Sequence, residues 1–191
     1  MPVTLSQNAE ADALLDRDPL ALLIGMVLDQ QVPLEKAFSS PLELAKRLGR
    51  DLDAHELAEY DSDALAEIFA QRPALHRFPT SMAGRVQGVA RVLVADYDGD
   101  VSQLWADVSD GQELLARISA LPGFGDQKAA IYLALLGKQR DVRPPGWREA
   151  AGAFGQDGVY MSVADITDRD SLLRVRDYKQ QQKAAAKAAV T

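Results

Sequence analysis

The sequence predicts an all-α protein organised around one helix–turn–helix unit. Helix-start signals, a capping side chain or a proline at the first helical position, recur along its 191 residues. Apolar residues repeat at three- and four-residue spacing, and no stretch alternates with the period of a half-buried strand. Leu121-Pro122-Gly123-Phe124-Gly125 then stands as a tight turn between two helical segments.

Asp18-Pro19 opens the first clear helix, with a capping carboxylate followed by proline. Leu20, Leu23, Ile24, Val27 and Leu28 form its apolar stripe, and the pattern runs to about Gln31. Pro33 stops it, because the residue before a proline is pushed out of helical geometry. Gln30 and Gln31 are thereby expected at the helix's C-terminal end. Ser40-Pro41 repeats the start signal for a short helix to about Leu48. Asp53 to Tyr60 and Ser62 to Gln71 give two more, each opened by a capping side chain. Arg72 to Pro79 reads as a loop, where Phe78 serves either as packing or as a wedge for a base stack. Thr80 is expected to cap the next helix, to about Asp96, and Gly84 and Gly88 on it suggest a close helix contact. Tyr97 to Asp100 is a turn that lacks the ligand pattern of a calcium loop. Val101 to Asp107 is a short helix with Trp105 as a core residue.

Asp110 caps a helix to Ala120, and an apolar helical run spans Ala129 to Leu136. Glycine at 123 and 125 allows positive φ and lets a ligand approach the main chain. The first N–H groups of the second helix lack intrahelical partners and form an anion site. A turn adding further N–H groups makes a nest for one phosphate. Gly137 to Pro145 follows as a charged loop, then a helix from Gly146 to Phe154 carrying Trp147. Thr167 begins the last helix, which continues through Leu172 and Val175 into a tail with lysines at 179, 183 and 187. Lacking an apolar stripe, this tail is expected to fray. It reads either as a solubilising end or as a phosphate contact. The organisation is therefore a helical unit over 1–175, in two lobes with the hairpin at about 111–137, and a basic tail over 176–191.

The composition, 47% hydrophobic and 26% charged, is that of a globular protein. No apolar run spans a membrane, and Asp12, Asp16 and Asp18 come too early for a signal peptide, so a soluble cytoplasmic monomer is expected. The chain has no cysteine, which excludes disulfides, a thiol nucleophile and Cys-ligated clusters. His55 and His76 lack a histidine partner at metal-ligating spacing. The net charge of -7 argues against a general nucleic-acid coat, but it is unevenly placed. Residues 1–126 hold 10 Lys+Arg against 21 Asp+Glu; residues 127–191 hold 11 against 7. A protein that touches few phosphates needs only a local positive face.

LPGFG followed by a helix resembles the helix-hairpin-helix motif. Together with Leu22-Leu23-Ile24-Gly25-Met26-Val27-Leu28-Asp29-Gln30-Gln31-Val32, it resembles the HhH-GPD superfamily of base-excision DNA glycosylases. The Gln-Gln-Val ending is similar to the 3-methyladenine branch. The resemblance implies an all-α, two-lobed fold acting on damaged double-stranded DNA. It implies backbone contacts to DNA at Gly123, Phe124, Gly125, Asp126, Gln127 and Lys128, and DNA or base contacts at Gln30 and Gln31. It also implies a monovalent cation, Na⁺ or K⁺, at the carbonyls of Ser119, Leu121 and Phe124. The iron-sulfur cluster of some endonuclease III relatives is excluded by the absence of cysteine.

The resembling families place an aspartate roughly twenty residues beyond the hairpin, to stabilise the cationic sugar formed when the glycosidic bond breaks. Bifunctional members add a lysine two residues after the second hairpin glycine. Here that position is Gln127, so no lyase activity through that lysine is expected; Lys128, about 100° further round the helix, should point elsewhere. No carboxylate lies at Pro145, Gly146 or Trp147. The nearest are Asp141, which Arg140 or Arg143 would keep ionised, and Glu149. The expected function is a monofunctional DNA N-glycosylase of base-excision repair. The alternatives are a non-catalytic lesion- or structure-binding protein on the same fold, and an interaction protein that uses the hairpin for packing alone.

Overall fold

The computed structural model describes residues 2–190, and among them every regular element is helical. The organising helix is α2 (Pro19–Leu28). Asp18 accepts the Leu20 N–H at 2.9 Å and Pro19 fills the first position, as the sequence predicts. The predicted apolar stripe understates its role, because every residue from Leu20 to Leu28 is buried. A helix apolar on all sides belongs in the core, with other helices around it. Phe38 packs so close that a Cβ on Gly25 would stand 2.5 Å from its ring.

α1 (Ala9–Arg17), capped by Asn8, packs beside α2. α3 (Leu34–Leu48) begins directly after Pro33, which corrects the start predicted at Ser40-Pro41. Pro41 lies inside this helix and offers no N–H to Ala37. The helix continues through it because Ala37, Phe38 and Leu44 are buried on one face. Ser40 Oγ lies 2.8 Å from the Lys36 carbonyl and 2.7 Å from that of Leu75. α4 (Ala54–Glu59) and α5 (Ser62–Ala70) are capped by Asp53 and Asp61. α6 (Pro79–Tyr97) lies across both, with Pro79 rather than Thr80 at its start. Buried Gln87 fastens it there. Its Nε2 donates to the carbonyls of Leu57 (3.0 Å) and Tyr60 (2.7 Å), and its Oε1 accepts from Ser62 Oγ. Gly84 makes no close contact and Gly88 touches only the Pro122 ring, so the predicted helix contact is absent at both. Trp105 is half-buried rather than core.

α7 (Gly111–Ser119) and α8 (Asp126–Gln139) form the hairpin. α8 runs three residues past Leu136, into the predicted loop. Its end is fixed by Gln139, whose Nε2 donates to the carbonyls of Val163, Ala164 and Ile166, and by a Lys138–Asp165 ion pair at 2.6 Å. α9 (Trp147–Ala151) packs on both hairpin helices. α10 (Arg169–Ala189) is capped by Asp168; its last buried residue is Val175, and helical geometry persists through the polar tail. The core is one cluster, from Val3 to Val175. No helix among the described residues is long and apolar enough to cross a membrane.

Candidate nucleic-acid interface

The turn between α7 and α8 stands where the sequence places it, but only one of its two glycines takes positive φ. Gly123 has φ +81°, and Gly125 is extended at φ −78°, ψ 177°. Leu121 and Phe124 are buried, and the Phe124 ring meets that of Tyr132 at 6.0 Å. These two side chains anchor the turn, so its glycines face outward. The Phe124 N–H donates to the Leu121 carbonyl at 3.1 Å and is not available to a ligand. Among the described residues, no group accepts from the N–H of Gly123, Gly125, Asp126, Gln127 or Lys128. Gly123, Gly125, Asp126 and Gln127 are exposed. The result is an outward nest of amides at the positive end of α8. The Asp126 carboxylate stands beside it and opposes an anion. The carbonyls of Ser119 and Phe124 likewise receive no donor among the described residues, while that of Leu121 is engaged.

The Lys128 side chain turns inward from this nest. Its Nζ donates to the carbonyls of Met26 (2.9 Å) and Val27 (3.3 Å), the unsatisfied end of α2. Burial pushes its pKa down, with Asp29 opposing and Arg85 adding to the shift. The sequence placed Lys128 among the phosphate contacts; its side chain is engaged at α2, and its amide is left unpaired. Lys128 thus joins the start of α8 to the end of α2, where the chain leaves helical geometry at Leu28, three residues before the predicted end at Gln31. Gln31 has φ +55° and is exposed. Gln30 is half-buried; its Nε2 donates to the Val27 carbonyl at 2.9 Å and its Oε1 receives Arg85 Nη1 at 3.4 Å. Arg85 also flanks the hairpin, 3.5 Å from where a Cβ of Gly123 would stand. The two glutamines and the hairpin therefore share one face, bridged by Arg85.

His76, 2% exposed, holds the glutamine loop. Its Nε2 lies 3.1 Å from the Leu28 carbonyl and 2.9 Å from that of Gln30, while Nδ1 accepts the Phe78 N–H at 3.0 Å. These partners require the neutral ring protonated at Nε2. Burial pushes its pKa below the ordinary 6.5. The unfolded chain then binds more protons, so stability falls as pH drops from about 6.5 towards the lower folded value. A His76→Asn variant is expected to be less stable at pH 7.5 and to lose less of its remaining stability between pH 7 and 5.5. Urea midpoints across that range measure it; parallel slopes would exclude His76 as the titrating group.

Beside this face opens a cleft of about 700 Å³, whose lining includes Asp29, Gln30, Gln31, Glu35, Arg77 and Lys179. That volume is within the range of small-molecule sites. One wall is the α2–α3 loop, and the other is α10, which adds Arg176 and Lys183. Arg176 pairs with Glu35. Among the described residues no carboxylate forms an ion pair with Lys179, Lys183 or Lys187. Phe78, 41% exposed, stands by the same loop with the Arg77 guanidinium 5.2 Å from its ring centre. No group of three or more His, Asp or Glu side chains among the described residues converges on a metal site.

Neither predicted carboxylate reaches this face. α8 has 14 residues, a rod of about 20 Å. Asp141 follows its far end at φ +60°, exposed and paired with Arg143 at 3.1 Å. Arg140, its other expected partner, pairs instead with Asp16 at 2.6 Å. Glu149 lies on α9 at that same far end. There Gly137 meets the Trp147 ring and Gly111, at the start of α7, meets the Trp147 backbone. A hairpin's two helices run antiparallel, so both contacts lie opposite the LPGFG turn. Two carboxylates line the cleft: Glu35, paired with Arg176, and Asp29, with Lys128 and Lys179 as charged neighbours. The sequence reading passed over Asp29, although it directly precedes Gln30-Gln31. Arg85 was missed because only packing brings it here, and Lys179 was read only as a phosphate contact of the tail.

A family model described as HhH-GPD superfamily base excision DNA repair protein matches residues 24–190. No curated protein and no solved structure matches the chain.

Proposed function

Since the chain belongs to the HhH-GPD superfamily of base excision DNA repair proteins, we propose that it binds damaged duplex DNA through its hairpin and releases a base without lyase chemistry. The observation that carries this reading is the outward nest of unpaired amides at Gly123 to Lys128, set beside the cleft. One phosphate docks at the nest. The carbonyls of Ser119 and Phe124 fit a monovalent cation between the turn and that phosphate. Gln31 and Phe78 face the duplex next to the extruded nucleotide, which enters the cleft. Lys179, Lys183 and Lys187, spaced to share one face of α10, follow the backbone beyond it. The hairpin offers no lyase nucleophile, because Gln127 occupies its position and the Lys128 ammonium is bonded to two carbonyls.

The placement of Asp141 and Glu149 at the far end of α8 favours a second reading, a lesion-binding protein that performs no chemistry. The two are separated by binding and single-turnover base release on the same duplexes. These carry 7-methylguanine, hypoxanthine, uracil, 8-oxoguanine or a tetrahydrofuran abasic analogue, at 50 and 200 mM salt. The first reading expects preference for modified duplexes, a steep loss of affinity with salt, release of at least one base and no borohydride-trapped complex. Binding without release supports the second. Binding that ignores salt, or no binding, overturns both, because phosphate contacts release counterions.

A further inference from the structure

We infer that Asp29 is the carboxylate that faces the anomeric carbon of the extruded nucleotide, in place of a residue beyond the hairpin. The inference rests on the base-release reading above. Three observations carry it. First, Asp29 lines the cleft and is a charged neighbour of Lys128, which contributes its amide to the nest and its Nζ to the last turn of α2.

Second, the Asp29 side chain caps nothing, and its charged neighbours are Lys128 and Lys179. The capping aspartates Asp18, Asp53, Asp61, Asp110 and Asp168 each accept backbone amides. The half-buried Asp29 carboxylate accepts no hydrogen bond among the described residues. It also sits at the C-terminus of α2, the end of a helix that disfavours a negative charge. A carboxylate kept where it costs stability points to function. Third, its rival in the cleft, Glu35, is tied through Oε1 to Arg176, while its Oε2 is buried without a hydrogen-bond partner among the described residues.

The chemistry balances with water as the only co-reactant. The bond from the anomeric carbon to the base breaks heterolytically, and its electron pair leaves with the base. The positive charge shared by the anomeric carbon and ring oxygen is stabilised by the ionised Asp29. Water adds through a lone pair to the anomeric carbon and gives one proton to Asp29, which passes it to the departed base. Burial pushes the Asp29 pKa up while Lys179 and Lys128 pull it down. The raised pKa makes this carboxylate the better base for that proton.

The test uses a charge-bearing mimic. Duplexes carry either a tetrahydrofuran nucleotide, neutral, or a pyrrolidine nucleotide, protonated in the ring. The full chain is expected to bind the pyrrolidine duplex at least about tenfold tighter than the tetrahydrofuran duplex, as a nearby carboxylate favours the cation. Asp29→Asn is expected to lose that preference while binding the tetrahydrofuran duplex within about threefold of the parent, and to melt at the same temperature or higher. Its single-turnover base release falls by about 100-fold or more. Asp141→Asn and Glu149→Gln keep both preference and release. A preference retained in Asp29→Asn, or lost in Glu35→Gln instead, overturns the assignment. A parent that binds both duplexes equally overturns it while DNA recognition stands; a parent that binds neither removes the DNA reading itself.

Discussion

Replacing Gly125 with aspartate is expected to leave the fold intact and weaken binding to the tetrahydrofuran duplex by about 100-fold or more. Gly125 is extended, a conformation open to any residue, and a Cβ there meets nothing within 4 Å. The substitution therefore acts on the ligand alone. The new side chain would stand where a phosphate approaches the amides of Gly125 to Gln127, and its carboxylate would repel that phosphate. Hydrogen bonds to a charged group are worth about 1.5–3 kcal/mol each, so displacing two accounts for the expected loss. Gly123 is the poorer probe, because its φ of +81° strains any other residue. Affinity at two salt concentrations, with a thermal melt of each protein, measures the effect. The salt slope should fall by about one for the lost phosphate. Unchanged affinity in a folded Gly125→Asp protein would make the hairpin a packing device.

The opposite dissociation is expected at Trp147. Its ring, 5% exposed, fills the space between α8 and α9 against Gly137, and Arg148 stacks 4.4 Å from the ring centre. Trp147→Ala should cost about 3–5 kcal/mol. For a chain of this size that is a fall of roughly 10 °C in melting temperature. DNA binding should survive at temperatures where the variant is folded, because the nest is about 20 Å away along α8. Calorimetry and duplex titration at 10 °C decide it. A stable variant that has lost DNA binding would place the Pro144–Ala151 segment on the DNA face, and would return Glu149 to consideration.

The local grammar of the fold was legible in the sequence. Asp18, Asp53, Asp110 and the LPGFG turn do what their residue types dictate, because a cap or a positive-φ turn is decided within a few residues of chain. Ser40-Pro41 shows the limit of that grammar. The pair carries a start signal, yet Phe38 and Leu44 hold one continuous helix through it, since burying an apolar face outweighs one missing hydrogen bond. Counting along the chain says little about where a carboxylate ends up, for a related reason. Asp141 and Glu149 are close to the hairpin in sequence, but α8 is a rigid rod that carries them away from it.

The sequence by itself determined the all-helical class, the superfamily and the turn whose amides are left unpaired. Each depends on spacing and backbone freedom over short stretches. Only the tertiary structure decided what stands beside those amides. Lys128 reaches back 102 residues to the end of α2, and α10 returns from the far end of the chain to wall the cleft. Side chains so distant in sequence meet through the burial of helix faces, which fixes position without leaving a local signal.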